Sequence, residues 1–386
     1  MFTKYCYQIE EVFVLKDPRI QKIAELIVNH SIKVQPNEHV LVQTNTEIEL
    51  SVVREIIKEI HKAGGFAHID LRDATVTRQL VLGGTKEQFE ILAEIEVERL
   101  AKMDGYINLR SPVNTSELSD IPSEKMELYA KTYGKFQSEA IYKKKWMTTR
   151  FPNASMAQEA RMSTEAFEDF YFDICTVDYK KLSEAMEPLK GYMEKTKVVE
   201  IKGTQIDLSF SIENMGVIKG DGTDNIPDGE LYTAPIRDSV NGTITFNTPS
   251  TFNGFTFENI SLTFANGKVI KATANHSEKL NEILNTDEGA SYVGEFALAF
   301  NPKVKVPMNN TLFDEKIDGS FHIALGSCFD EADNGNKSAI HWDLISIQRP
   351  DYGGGEIYFD GQLVRKDGRF VIPELEVLNP ENIVAE

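Results

Sequence analysis

Around residue 196 the chain changes its hydrophobic period, and that change limits the possible folds more sharply than any other feature of the sequence. From Asp17 onward, helical and extended segments alternate. Ile20, Ile23, Ala24, Ile27 and Val28 recur at helical spacing, and Val40-Leu-Val42 reads as a short buried strand after the Pro36-Asn37 turn. Ile48, Val52, Val53, Ile56, Ile57 and Ile60 form another apolar helix face, which ends at Gly64-Gly65 ahead of the strand-like Phe66-Ala-His-Ile-Asp-Leu71. A third helix is predicted from Lys86 to Met103, leading into Tyr106-Ile-Asn-Leu109. This order predicts a layered α/β domain with a largely parallel sheet.

Residues 122–195 read as mainly helical, with a break near Arg150-Phe-Pro152. Beyond Lys197 the composition shifts to Gly, Asn, Thr and Asp. Short extended runs such as Thr243-Ile-Thr-Phe246, Ile260-Ser-Leu-Thr-Phe264 and Lys268-Val-Ile-Lys271 are separated by turn signals, Asn266-Gly267 among them. The expectation is an N-terminal α/β and helical domain over residues 1–195, then a mainly antiparallel, β-rich catalytic domain over residues 196–386. Met1 to Lys16 is ambiguous, being readable as an extra strand, an appended arm or a misassigned start.

The 386 residues are enough for roughly two to three domains and a sizeable core. A net charge of -19 argues against a nucleic-acid-binding surface, because phosphate neutralisation needs clustered Lys and Arg. The short Lys143-Lys-Lys145 run reads as a solvated helix face. Cys6, Cys175 and Cys328 are odd in number and widely spaced, which gives neither a disulfide framework nor a zinc-binding pair and suggests a reducing cytosol. The first residues lack the apolar core of a secretory signal, and no run of about eighteen apolar residues occurs, so no membrane span is expected. Together these features predict a soluble, cytoplasmic protein.

Chemistry concentrates towards the C-terminal end, in Asn225-Ile-Pro-Asp-Gly-Glu-Leu-Tyr-Thr-Ala-Pro235, Gly294-Glu-Phe-Ala-Leu298, Asn310-Thr-Leu-Phe-Asp-Glu-Lys316, His322-Ile-Ala-Leu-Gly326 and Ser338-Ala-Ile-His-Trp-Asp343. Glu230, Glu295, His322, His341 and Asp343 supply three carboxylates and two imidazoles, donors that Zn²⁺, Co²⁺ and Mn²⁺ accept. If Ser338 to Leu344 is a strand, the period of two puts His341 and Asp343 on one face and Trp342 on the other. His30, His39, His61, His68 and His276 lie outside these motifs, and Cys328 reads as a packed thiol. Gly83-Gly-Thr-Lys86 and Gly353-Gly-Gly355 lack the spacing and following helix of nucleotide loops. Gly220-Asp-Gly-Thr-Asp224 reads as a loop leading into the first motif rather than a calcium site.

In their order these segments resemble the M29 family of metalloaminopeptidases, the thermophilic or AmpS-type aminopeptidases, from Asp17 to Phe370. Thr149-Arg-Phe-Pro-Asn-Ala-Ser-Met-Ala-Gln-Glu-Ala160, taken as helical, Gly203-Thr-Gln-Ile-Asp-Leu208 and Leu284-Asn-Thr-Asp-Glu-Gly289 extend the likeness. The resemblance implies two divalent ions, with Glu230 binding one, Glu295 bridging both, and His322, His341 and Asp343 completing the set. It also implies a homodimer with an enclosed site and short peptides with a free N-terminus as substrates. Two bridged ions activate water at neutral pH, and a carboxylate must then pass its proton to the leaving amine. Glu315 is the candidate for that catalytic role.

Some positions depart from the family pattern. Seven residues after His322, where relatives carry a metal-reaching tyrosine, stands Phe329, whose ring has no donor atom. Tyr352 and Tyr358 are substitutes by sequence proximity. Gly229-Glu230 replaces a pair of glutamates, and the interval from Asp314-Glu315 to His322 is longer than in many relatives. Two alternatives stand beside the aminopeptidase: a di-metal amidase or dipeptidase of narrower specificity, and a non-catalytic metal-binding homologue.

Overall fold

The computed structural model describes residues 17–252 and 254–383, so the expectation for Met1 to Lys16 falls outside the described residues. The first part of the chain folds as the alternation predicts. Phe66–Arg72, His39–Asn45, Gly105–Arg110, Lys145–Arg150 and Asn225–Ile226 lie side by side in that order, all parallel. The helices Pro18–Leu26, Leu50–Lys62 and Lys86–Ala101 occupy the predicted positions, with Asp17 and Thr85 capping the first and third through side-chain oxygens.

Two strands of this sheet were not legible in the sequence. Lys145–Arg150 lies in the stretch read as helical, and Lys145 opens it, paired with Glu38 at 2.6 Å rather than sitting on a helix face. Its core-facing Met147 and Thr149 are buried while its Lys-rich approach obscures the period. The stretch 149–160 therefore runs from strand end to the short helix Ala154–Glu159, which Asn153 caps through Met156 N–H. Asn225–Ile226 is the other. It pairs with Lys145–Arg150 even though its neighbours in sequence belong to the β-rich part.

After Lys197 the strands other than Asn225–Ile226 are antiparallel, in an eight-stranded sheet, a five-stranded sheet and a two-stranded hairpin. The five-stranded sheet runs His341–Ile347, Ser320–Gly326, Val293–Ala299, Glu230–Thr233, Ile218–Gly220. One of its faces supplies Phe296, Leu298, Phe321, Ile323, Leu325, Trp342 and Leu344 to the larger core. Each such side chain contributes about 1.5–3 kcal/mol on burial, and Trp342 also donates its ring N–H to Ser250 Oγ at 2.8 Å.

The two cores exchange elements across the proposed division near residue 196. The helix Tyr179–Met193 packs into the larger core, whereas Ile226, Val304, Met308, Phe313 and Ile317 pack with the parallel sheet. That exchange brings the C-terminal end of the parallel sheet to the start of the strand carrying Glu230.

Candidate metal centre

The other face of the five-stranded sheet carries all five predicted donors. In an antiparallel sheet, directly opposed residues point to the same side, as do residues two apart along a strand. Glu295 opposes Ala324, which opposes Asp343; His322 opposes Ala297 and Ile345; His341 opposes Gly326; Glu230 opposes Ala299. The positions between the donors are Ala297, Ala299, Ala324 and Gly326, so short side chains leave room above the sheet. His341 and Asp343 share this face and Trp342 the core face, as the period of two requires.

One donor reaches the face only through an irregularity. Val293 points into the core, and strict alternation would send Glu295 there too. A register shift between Val293 and Glu295 inserts Gly294 as a bulge and turns Glu295 to the donor side. A Cβ on Gly294 would stand 2.4 Å from the carbonyl oxygens of both Gly326 and Ser327, so the bulge requires glycine there. On the neighbouring edge strand, a Cβ on Gly220 would stand 2.5 Å from Asp228 Oδ1 and 2.9 Å from Glu230 Cγ.

The donor atoms form two overlapping triads, Glu230 with Glu295 and His322, and Glu295 with His341 and Asp343. Glu295 serves both through different oxygens: Oε1 lies 3.2 Å from His322 Nε2 and Oε2 lies 3.3 Å from His341 Nε2. His322 Nε2 is 3.6 Å from Glu230 Oε2, and His341 Nε2 is 3.4 Å from Asp343 Oδ1. Ligands at 2.0–2.2 Å from one tetrahedral ion stand roughly 3.3–3.6 Å apart, so the spacing fits a metal in each triad. Glu230 Oε2 is buried with no hydrogen-bond partner, an uncompensated acceptor aimed at the first triad. His341 Nδ1 is 2.7 Å from Ser327 O, a contact that places its hydrogen there and leaves Nε2 free to donate its lone pair.

Electrostatics separates the donors. Burial, only partly offset by Lys316 and His322, pushes Glu230 up to about 8. Burial would also raise Glu295, but its hydrogen bonds to His322 and His341 hold it below the usual carboxylate value. Burial likewise opposes ionisation of Asp343, and the neighbouring His341 charge outweighs it, leaving Asp343 far below. Burial opposes charge on His322, yet Glu230 and Glu295 raise it to about 9. Three carboxylates and two imidazoles thus converge on a buried face, where in the absence of metal bound protons offset the carboxylate charge and a divalent cation could take their place.

Glu315, at the end of the short helix Thr311–Asp314, joins this cluster through Lys316, whose Nζ is 2.8 Å from Glu315 Oε1 and 2.5 Å from Glu230 Oε1. Lys316 is wholly buried and also lies 3.3 Å from Asp228 Oδ1. Asp228 is itself held by the backbone N–H groups of Gly222 and Gly229. Sequence reasoning gave no role to Lys316 or Asp228, although both lie in the quoted segments. Tyr352 and Tyr358 are not at the donor face: the Tyr352 ring lies under Arg349, and the Tyr358 hydroxyl donates to Glu356. The phenol on this face is Tyr232, two residues beyond Glu230 and detectable by the same period of two. Burial raises its pKa, and Glu295 and Glu230 add to the effect. Phe329 packs against both Tyr232 and His341, with ring centroids 5.5 and 4.8 Å away. Cys328 is buried and donates to Asp333 and the Asn336 carbonyl.

Fold and donor set together describe a candidate metal-binding protein built on a two-faced antiparallel sheet. The chain belongs to the thermophilic metalloprotease (M29) family, whose model matches residues 16–370, and is therefore an enzyme that uses metal to hydrolyse peptide bonds. It is 26% identical over 400 residues to aminopeptidase AmpS of Bacillus subtilis (strain 168), an alignment covering 91% of this chain and 96% of that protein. Wild-type AmpT from Thermus thermophilus has the same fold, with a TM-score of 0.76 at 20% identity over 92% of this chain and 99% of that one. A 2,5-dihydroxypyridine dioxygenase from Pseudomonas putida KT2440 also shares it, with a TM-score of 0.62 at 12% identity over 94% and 99%. Since that fold also carries a dioxygenase, peptide chemistry follows from the family and not from the fold. Among the described residues no helix is long and apolar enough to cross a membrane.

Proposed function

We propose that the chain is a two-metal aminopeptidase acting on short peptides with a free N-terminus. The observation that carries this reading is the pair of donor triads sharing Glu295. Glu230 and His322 would hold one ion, His341 and Asp343 the other, and Glu295 both. Bound there, divalent ions supply Lewis-acid chemistry, lowering the pKa of water towards about 7 and polarising the scissile carbonyl.

The chain's own residues supply the rest. Lys316 holds Glu230 by Oε1, so that Oε2 stays turned to the first triad. Glu315, kept largely from water and raised above the ordinary carboxylate value by burial, takes the proton from the attacking water and delivers it to the leaving amine. The Tyr232 phenol lies on the same face as a neutral hydrogen-bond donor to a developing oxyanion. Phe329 lines the His341 side with an apolar ring in place of a ligand.

Several finer points belong to the same proposal: a cytoplasmic homodimer with an enclosed site, zinc, cobalt or manganese as the metal, and a division of the chain near residue 196. The test is release of the N-terminal residue from short peptides, each offered free and N-acetylated, by metal-stripped protein titrated with Zn²⁺, Co²⁺ or Mn²⁺. Metal-dependent cleavage of only the free-amine forms is expected. Cleavage of both forms would replace the reading with a broader amidase, and no cleavage with any metal would replace it with a non-catalytic metal protein.

A further inference from the structure

The donor face accounts for the scissile end of a substrate and leaves its other end without a partner. Arg150 offers a positive charge near the strand that carries Glu230. It is the last residue of Lys145–Arg150, at the C-terminal edge of the parallel sheet, the side on which α/β sheets receive ligands. Thr149 is in register with Ile226, so the backbone of Arg150 runs beside Pro227, three residues before Glu230. Three residues span at most about 10 Å. In the other direction Arg150 is in register with Arg110, the last residue of Gly105–Arg110.

Two arginines therefore end adjacent parallel strands, about 4.8 Å apart at the backbone. Arg150 is half-buried and Arg110 exposed. Among the described residues, neither guanidinium has a carboxylate within ion-pair distance, although the chain carries 60 acidic residues to 41 basic ones. Buried or half-buried charges are ordinarily paired, and two like charges side by side repel. Burial lowers Arg150 to about 10, with Arg110 acting in the same direction, so it stays cationic at neutral pH. The Glu159 and Glu315 carboxylates act on it through space without touching it. The register of Thr149 with Ile226 sets this unmet positive charge at the end of the sheet from which the chain runs on to Glu230.

An anion with two oxygens in a plane satisfies a guanidinium best. We propose that Arg150, with Arg110 beside it, binds the C-terminal carboxylate of a di- or tripeptide whose N-terminal end lies at the metal centre. The inference rests on the aminopeptidase reading and narrows it, because an extended tripeptide reaches about 10 Å and a longer chain would carry its carboxylate past the arginines.

The test compares kcat/KM for Leu-Gly-Gly, for its C-terminal amide, and for Leu-Gly-Asp amide, in the wild type and in Arg150→Gln, Arg150→Lys and Arg110→Gln. The wild type should prefer the acid to the amide by about ten- to a hundredfold, the range for a charge-assisted hydrogen bond. R150Q should bring that ratio within about twofold of one, R150K should keep part of it, and R110Q should reduce it less than R150Q. Because the ratio is taken within each variant, a general loss of folded enzyme cancels. The same acid and amide pair, measured by equilibrium binding to metal-free protein, reports the preference without turnover, so a failure of hydrolysis is distinguished from a failure of this site. A wild-type ratio near one, or a ratio unchanged in R150Q, overturns the proposal. A gain from the Asp side chain in the amide as large as that from the C-terminal acid would overturn the assignment to the C-terminus.

Discussion

Replacing Lys316 by Met removes the one cation that ties Asp228, Glu230 and Glu315 together, and the structure sets the size of the effect. The Lys316 side chain is 1% exposed and sits 2.5, 2.8 and 3.3 Å from the three carboxylates. Breaking a buried ion pair from one side costs about 3–5 kcal/mol, because the remaining charge stays buried without compensation. Asp228 keeps two backbone N–H donors and Glu230, held up to about 8, is mostly protonated at pH 7, so most of the penalty falls on Glu315, which loses its partner at 2.8 Å, with Glu230 adding to it as it ionises. We therefore expect metal-free K316M to lose about 3–5 kcal/mol at pH 7. Saturating metal should narrow the gap, because the deleted ammonium carries the same sign as the ions and competes with them for Glu230. The assay is urea unfolding followed by both circular dichroism and tryptophan fluorescence, with slopes compared so that a change in cooperativity is not mistaken for a change in stability. A K316M protein within about 1 kcal/mol of the wild type without metal, well below the expected range, would refute the reasoning. So would a gap that widens when metal is added.

Metal uptake should release more than one proton per chain at pH 7, since in the metal-free site Glu230 and His322 are held up to about 8 and 9 and must both be deprotonated to donate. Affinity should accordingly rise with pH up to about 9 and fall below it, which calorimetry in buffers of different ionisation enthalpy would measure. G294A should lose metal while keeping its fold, because the two carbonyls that a Cβ would meet force Glu295 off the donor face; metal content and circular dichroism read the two effects separately. Trp342→Ala should cost about 3–5 kcal/mol and leave the metal content per folded chain unchanged, whereas His341→Ala, one residue away on the opposite face, should lose metal and metal-dependent activity. Loss of metal from W342A as complete as that from H341A would contradict the two-faced strand.

Glu230, Glu295 and His322 stand out by the order of their segments, and the shared face of His341 and Asp343 by the period of two, which needs only a few residues to be read. His-Trp-Asp at 341–343 states both faces of its strand by itself. Glu230 and Tyr232 carry the same signal, although Tyr232 lies far from Phe329 in the chain and meets it only through the fold. The bulge at Gly294 was not legible: it depends on carbonyls of Gly326 and Ser327, more than thirty residues along the chain. Lys316 could not be recognised as a buried counter-ion before Glu230, 86 residues away, was placed against it. The parallel sheet followed from alternation, except where Lys145–Arg150 is too polar in approach and Asn225–Ile226 too short to show a period. The exchange of elements between the cores has no local signal at all, since residues 304–317 pack by tertiary contact with a sheet formed far earlier in the chain.

The central claim is that two ions share Glu295, and metal stoichiometry tests it most directly. Metal-stripped wild type and its Glu295→Ala, Glu230→Gln and Asp343→Asn variants would be dialysed against Zn²⁺, Co²⁺ or Mn²⁺, and the bound metal determined per folded chain. The account predicts two ions in the wild type, loss of both sites in E295A, and selective weakening of one site in each of the other two variants. A single ion in the wild type, or an E295A protein that retains full metal content, would contradict it.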